Sequence, residues 1–227
     1  MASEAHHLET LALREQFNTE EQQKDASTLG MWVFLITEIM FFGGMFLAYA
    51  IYRTTFPVIF GLASSSLNLP IGATNTCVLL LSSFTMVMAV RAAQLGQKRM
   101  IIFFLIITML FGFAFLGIKA YEWTEKFEEH HVPAQASFHL DGVTGPDQQG
   151  HAKLFFSLYF AMTGLHALHM VVGVCILSFI ILQTAKGTYS AKYYTPVDIA
   201  GLYWHFVDIV WIFLFPLFYL IDRHLPK

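Results

Sequence analysis

Apolar and polar positions along this chain fall into long blocks. They show neither the alternation of strands nor the one-sided stripe of a surface helix. Apolar runs occupy residues 29–51, 71–90, 100–118, 154–182 and 199–221. Crossing roughly 30 Å of hydrocarbon takes about 20 helical residues, so each run is a candidate span. The first run carries Glu38 as its lone charge, the second and third carry none, and the fifth is interrupted by His205 and Asp208. A membrane barrel would instead show strands of about ten residues with alternating polarity. With their flanks, the runs predict helices at about 29–51, 71–93, 100–122, 152–182 and 199–221. The expected fold is all-α, a five-helix transmembrane bundle over 29–222 with tails at 1–28 and 223–227. The fourth helix is long enough to tilt or protrude.

The polar connections are short. Residues 1–28 hold six acids and two bases, which fits neither a signal peptide nor a transit peptide. Leu8 and Leu11 hint at a surface helix there, against the alternative of a frayed tail. Pro57, Pro70 and the serines at 64–66 predict a loop over 52–70. Residues 94–99 read as a tight turn, about 125–150 as the longest and most acidic loop, and 184–197 as the last loop. There is no internal repeat, low-complexity tract or separate soluble domain.

Composition agrees. Hydrophobic residues make up 56% of the 227 positions and charged residues 13%, with 23 Phe and a mean hydropathy of +0.56. A water-soluble globule could not bury that much apolar surface, and disorder is excluded on the same ground. A net charge of −3 offers no footprint for nucleic acid. Cys77 and Cys175 cannot form a disulfide scaffold and read as small buried hydrophobes. With the N-terminus in the cytoplasm, the inner side would collect seven Lys/Arg (Arg14, Lys24, Arg91, Lys98, Arg99, Lys186, Lys192). The outer side would collect five (Arg53, Lys126, Lys153, Arg223, Lys227). The balance favours N-in, C-out.

Ionisable groups at mid-bilayer cost about 2.5–3.5 kcal/mol each on insertion scales. In the N-in arrangement Glu38 lies nine residues into the first span, and His205 and Asp208 lie six and nine residues into the fifth. At 1.5 Å per residue all three share a depth of roughly 9–14 Å, which predicts a proton-sharing cluster with His205 and Asp208 paired. For Glu38 three readings stay open: a proton relay, an anchor for a lipid headgroup or neighbouring helix, or a neutral acid in a packed interior. His166 and His169, three residues apart on one helix, do not clamp a heme between facing imidazoles, and no further ligands complete a zinc site. They are expected to hydrogen-bond to neighbouring helices or to a partner subunit. The loop histidines His130, His131, His139 and His151 read as solvated. Gly43, Gly44, Ser82, Ser83, Gly164 and Gly173 read as close-packing positions. Trp32, Tyr49, Tyr52, Trp123 and Tyr203 read as interfacial aromatics.

Whole words of the sequence go further. Tyr203-Trp204-His205-Phe206-Val207-Asp208-Ile209-Val210-Trp211 closely resembles the terminal-helix signature of subunit III of heme–copper oxidases. Thr163-Gly164-Leu165-His166-Ala167-Leu168-His169, followed by Val171-Val172-Gly173, is similar to that family's paired-histidine helix. Ile36-Thr37-Glu38-Ile39-Met40-Phe41-Phe42-Gly43 resembles the helix bearing its carbodiimide-reactive intramembrane carboxylate. Asn75-Thr76-Cys77-Val78-Leu79-Leu80 and Tyr121-Glu122-Trp123 resemble two further segments, in the family's order.

The resemblance implies the five-helix bacterial form of the subunit, lacking two helices of the seven-helix form, in the inner membrane. It implies no heme or copper on this chain, with those cofactors in partner subunits, and structural phospholipids in a cleft between its helices. Subunit I would be the main partner, beside subunit II, other oxidase subunits and possible larger respiratory assemblies. The role implied is support of proton uptake and of turnover stability in a proton-pumping enzyme that reduces oxygen to water. It makes Glu38 the intramembrane carboxylate and Glu122, His166, His169, His205 and Asp208 signature positions. Asp198 departs from the pattern, which often has Glu there. Glu38 and the Asn75–Thr76 pair resemble cytochrome c oxidases more than quinol oxidases. The alternatives are a quinol oxidase subunit III, an accessory subunit of a nitric oxide reductase, an independent proton-coupled transporter and a b-type cytochrome. The transporter would want broken helices or inverted repeats, which the sequence does not show.

Overall fold

A computed structural model describes residues 16–135, 137–143, 145–191 and 193–220. Leu8, Leu11, Arg14, Lys192, Arg223 and Lys227, to which the sequence assigned roles, lie outside them. The helices are α1 (Glu20–Thr55), α2 (Pro57–Ser65), α3 (Leu69–Gln94), α4 (Lys98–Glu128), α5 (Pro146–Lys186) and α6 (Thr195–Phe215), closed by a π turn at Pro216–Leu220. Among the described residues there is no strand. Five helices, all but α2, are long and apolar enough to cross a membrane.

The helices outrun the apolar blocks because polar signals set their ends. The Thr19 hydroxyl caps α1 by accepting the Gln22 N–H at 3.1 Å, and the Asn18 N–H donates to the Gln22 side chain at 2.9 Å. Glu20 and Glu21 then complement the helix dipole. Residues 20–28, expected as tail, are therefore the first turns of α1. Residues 57–65, expected as loop, form α2, with Pro57 opening a helix that it could not sit inside. Gly187, at φ 84°, ends α5 while the Thr188 N–H returns to the Gln183 carbonyl at 3.1 Å. At 36 and 41 residues, α1 and α5 reach about 54 and 62 Å and must project beyond the hydrocarbon.

The bundle is built around α6. Of its apolar window 56% is buried, against 11% for α1. α3, α5 and α1 pack around α6, and α4 lies against α3 and α5. The core residues of α4 (Ile101, Leu105, Thr108, Gly112, Phe115, Lys119, Glu122, Lys126) recur every three or four positions, an inward stripe that ends in charge. α1 contributes only Leu35, Phe42 and Tyr49, seven residues apart. The large apolar side chains left on the outside, such as Leu29, Met40, Phe84, Leu110 and Phe213, suit a lipid solvent.

Glycine placement corrects part of the expectation. A Cβ at Gly173 would stand 3.0 Å from the Trp204 ring, and one at Gly112 would meet the same ring at 3.0 Å. Those two positions bring α5 and α4 onto α6. Among the described residues a Cβ at Gly43 or Gly44 would meet nothing within 4 Å, and one at Gly164 would meet only Trp123, at 3.7 Å. Cys77 and Cys175 are exposed on outer helix faces, not buried.

Candidate functional site

Three polar groupings lie inside the bundle. The first joins α1 to α5. Glu38 Oε2 lies 3.2 Å from His169 Nε2, with side chains 20% and 14% exposed. His169 Nδ1 donates to the Leu165 carbonyl at 2.9 Å. The Tyr203 hydroxyl of α6 donates to the His169 carbonyl at 3.0 Å. Towards the start of α1 a cleft of about 680 Å³ opens between α1, α5 and α6. Glu20, Glu21 and Lys24 stand at its outer end, and Phe34, Val172 and Tyr203 are among its deeper residues. Glu38 lies one turn beyond Phe34 and His169 one turn beyond Val172, so the pair sits past the cleft's inner end.

The second grouping is sealed. Lys119 and Glu122 of α4 are 3.1 Å apart and essentially unexposed. Lys119 Nζ also donates to the Tyr159 hydroxyl of α5 at 2.8 Å and the Tyr219 hydroxyl of the π turn at 2.9 Å. Tyr159 in turn donates to Glu122 Oε1 at 2.8 Å, and Tyr219 donates to the same oxygen. All three ammonium protons and both phenol protons are used, and the ammonium also lies 5.2 Å from the centre of the Trp211 ring. Pro216 makes this reach possible. It has no N–H to continue the α ladder, so the backbone widens into a π turn. Tyr49 and Ser64 fasten the turn, donating to Leu217 O at 2.8 Å and to Phe218 O at 2.6 Å. Gly72 leaves room for the Tyr219 ring, which a Cβ would meet at 2.9 Å.

The third grouping runs along α6 where it faces α3. The Trp204 indole donates to the Ser82 hydroxyl at 3.0 Å and the Trp211 indole to the Thr76 hydroxyl at 3.1 Å. His205 Nδ1 lies 2.8 Å from the Ser83 hydroxyl. Asp208, Asn75 and His166 are buried; the Ser83 hydroxyl stands beside Asp208, and the side-chain polar atoms of Asn75 and His166 have no hydrogen-bond partner among the described residues. His166 is enclosed by the rings of Phe115 and Trp211, with centroids 5.3 and 5.2 Å away.

The predicted Glu38–His205–Asp208 cluster does not form. Glu38 faces His169 on α5, while His205 turns to Ser83 on α3, and neither Glu38 nor Asp208 bonds to it. Of the histidine helix, His169 bonds across to α1, while His166 has no hydrogen-bond partner among the described residues. Asp198 is half-buried near a small pocket that it shares with His205, Val87 and Val90. Tyr49 and Tyr203 are buried anchors, not belt residues. Two of the loop histidines are not simply solvated. His151 stacks on Phe56 at 3.7 Å, and His131 is buried, stacked on Phe156 at 5.0 Å. Burial, reinforced by Lys126, holds the His131 imidazole below its usual range, with Glu129 opposing. Sequence reasoning missed Lys119, Tyr159 and Tyr219. Extending the α4 stripe from Leu105 by fours and threes would have placed Lys119 inside.

Among the described residues, no group of three or more His, Cys, Asp or Glu could hold a metal ion. The family described as cytochrome c oxidase subunit III matches residues 15–222. The chain is 32% identical over 199 residues to cytochrome c oxidase subunit 3 of Synechocystis, covering 87% of this chain and 76% of that one. It is 31% identical over 196 residues to cytochrome bo(3) ubiquinol oxidase subunit 3 of Pseudomonas putida, covering 86% of each. It is 30% identical over 206 residues to cytochrome c oxidase subunit 3 of Thermostichus vulcanus, covering 89% and 90%. A bundle of five spanning helices and a family match over nearly its whole length agree, and the chain belongs to the cytochrome c oxidase subunit III family as a non-redox subunit of a terminal heme–copper oxidase.

Proposed function

We propose that this chain is subunit III of a proton-pumping cytochrome c oxidase. It lies in a bacterial inner membrane with its N-terminus inward and packs mainly on subunit I, beside subunit II. Heme and copper reside in the partner subunits. The α1/α5/α6 cleft holds a phospholipid, and Glu38 beyond its inner end supports proton uptake and durable turnover.

One observation carries the reading: the cleft has ionic side chains at one end and a largely apolar wall leading towards Glu38–His169. Lys24 suits a headgroup phosphate and Glu20 or Glu21 an ammonium, while Met31, Phe34 and Ile176 suit acyl chains. Glu122, with Lys119, fits a structural role in this scheme, as do His166, His205 and Asp208 around α6.

The test is Glu38→Gln in the purified complex, with oxygen consumption followed over many turnovers and bound phospholipid quantified. Activity that starts near normal and fades faster than wild type supports the reading. Full, lasting activity with unchanged lipid refutes it.

A quinol donor is the second reading, favoured by the Pseudomonas putida relative, which is named a ubiquinol oxidase subunit. Glu38 and the Asn75–Thr76 pair favour cytochrome c. Oxygen uptake with reduced cytochrome c against a soluble quinol separates the two.

A further inference from the structure

We infer that Glu38 and His169 share a single proton, and that His169 is the residue positioning it. The argument starts from the other ring nitrogen. His169 Nδ1 lies 2.9 Å from the Leu165 carbonyl oxygen. A carbonyl only accepts, so Nδ1 carries a hydrogen and donates it. The tautomer is thereby set, as the partner of one ring nitrogen dictates the state of the other. Nε2 is then bare unless the ring is an imidazolium, and it lies 3.2 Å from Glu38 Oε2. A carboxylate facing a bare imidazole nitrogen would place two lone pairs against each other. One proton resolves this, as carboxyl O–H donating to Nε2 or as imidazolium N–H donating to carboxylate. Moving between the forms breaks one bond to hydrogen and makes the other. The pair stays net neutral, and no other group gains or loses a proton.

The ring cannot easily escape this assignment. A half-turn about its Cβ–Cγ bond would take both nitrogens away from both partners. Phe42 sits 5.5 Å to one side, and the Tyr203 ring stacks at 6.5 Å with 24° between planes. The Tyr203 hydroxyl also pins the His169 backbone. Among the described residues Glu38 has no other ion-pair or hydrogen-bond partner. His169 therefore decides whether Glu38 holds a proton in the membrane. The inference deepens the role proposed above for Glu38 and rests on that reading only for its consequence in turnover.

The test uses the intact oxidase complex with ¹⁵N-labelled histidine and nitrogen NMR. Wild type is expected to show one histidine with a protonated Nδ1 across the neutral pH range. Glu38→Gln should shift that residue's Nε2 resonance, because the shared proton is replaced by a fixed amide N–H, while Nδ1 stays protonated. His169→Asn should remove both signals. A bare Nδ1 with a protonated Nε2 overturns the inference, and so does an Nε2 resonance that Glu38→Gln leaves in place. Undiminished turnover durability in Glu38→Gln, with the expected spectra, supports the shared proton and overturns the turnover role alone.

Discussion

Replacing Lys119 with Met removes the cation from a site closed off from solvent. Glu122 is 0% exposed and would keep only its two tyrosine donors. Tyr159 and Tyr219 would each lose the proton they accept from Lys119, at 2.8 and 2.9 Å. Breaking a buried ion pair by deleting one partner costs about 3–5 kcal/mol, because an uncompensated charge stays behind. For a chain of this size that corresponds to a fall in Tm of about 6–20 °C. Removing both charges is a different perturbation. In Lys119→Met/Glu122→Gln the tyrosines still donate to an amide oxygen and no buried charge remains, so most of the loss should return. The assay is fluorescence-detected size-exclusion thermostability of the chain in mild detergent, comparing both single variants with the double. Wild-type stability in Lys119→Met, or a double variant no better than that single one, would refute the reasoning.

Three further outcomes follow from the packing and the loop. Gly173→Ala should lose about 1–3 kcal/mol by driving a methyl into Trp204, whereas Gly164→Ala, with ordinary contact at 3.7 Å, should be near neutral in the same thermal assay. His205→Leu should cost only about 0.5–1.5 kcal/mol, since it forfeits the bond to Ser83 and leaves that hydroxyl free for Asp208; a loss several times larger would show that Asp208 depends on His205 as well. The depressed His131 imidazole binds its proton less readily in the folded chain than in the unfolded one, so its contribution is present above the unfolded value of 6.5 and is lost as pH falls below it. The protection of residues 129–143 against hydrogen exchange, taken relative to intrinsic exchange at each pH, should therefore fall below that pH in wild type and stay flatter in His131→Phe; identical acid profiles would refute this.

Five helices were legible because a block of apolar residues long enough to cross lipid is a local property of the chain. Direction around each axis was not. The charged end of α4 aside, the spans are apolar on nearly every side, so their polarity does not show which face turns inward. Glu38, His205 and Asp208 were thus placed at one level and wrongly joined. The actual partner of Glu38 stands 131 residues away. Tyr219 was hidden for another reason: its reach to Lys119 depends on the wider backbone turn after Pro216, within a run that otherwise reads as uninterrupted helix. Glu122 is singled out by resemblance, whereas Lys119 belongs to none of the resembling segments.

The narrow seam of Leu35, Phe42 and Tyr49 bears on how the chain is put together. α1 satisfies its backbone internally and owes little of its shape to neighbours, so it is a finished rod once it enters lipid. Its fastenings come late. His169 and Leu217, which receive Glu38 and Tyr49, are among the later residues to leave the ribosome. Assembly therefore has an order: α1 stands in the bilayer until α5 arrives to give its acid a companion, and until the turn after α6 arrives to fasten Tyr49.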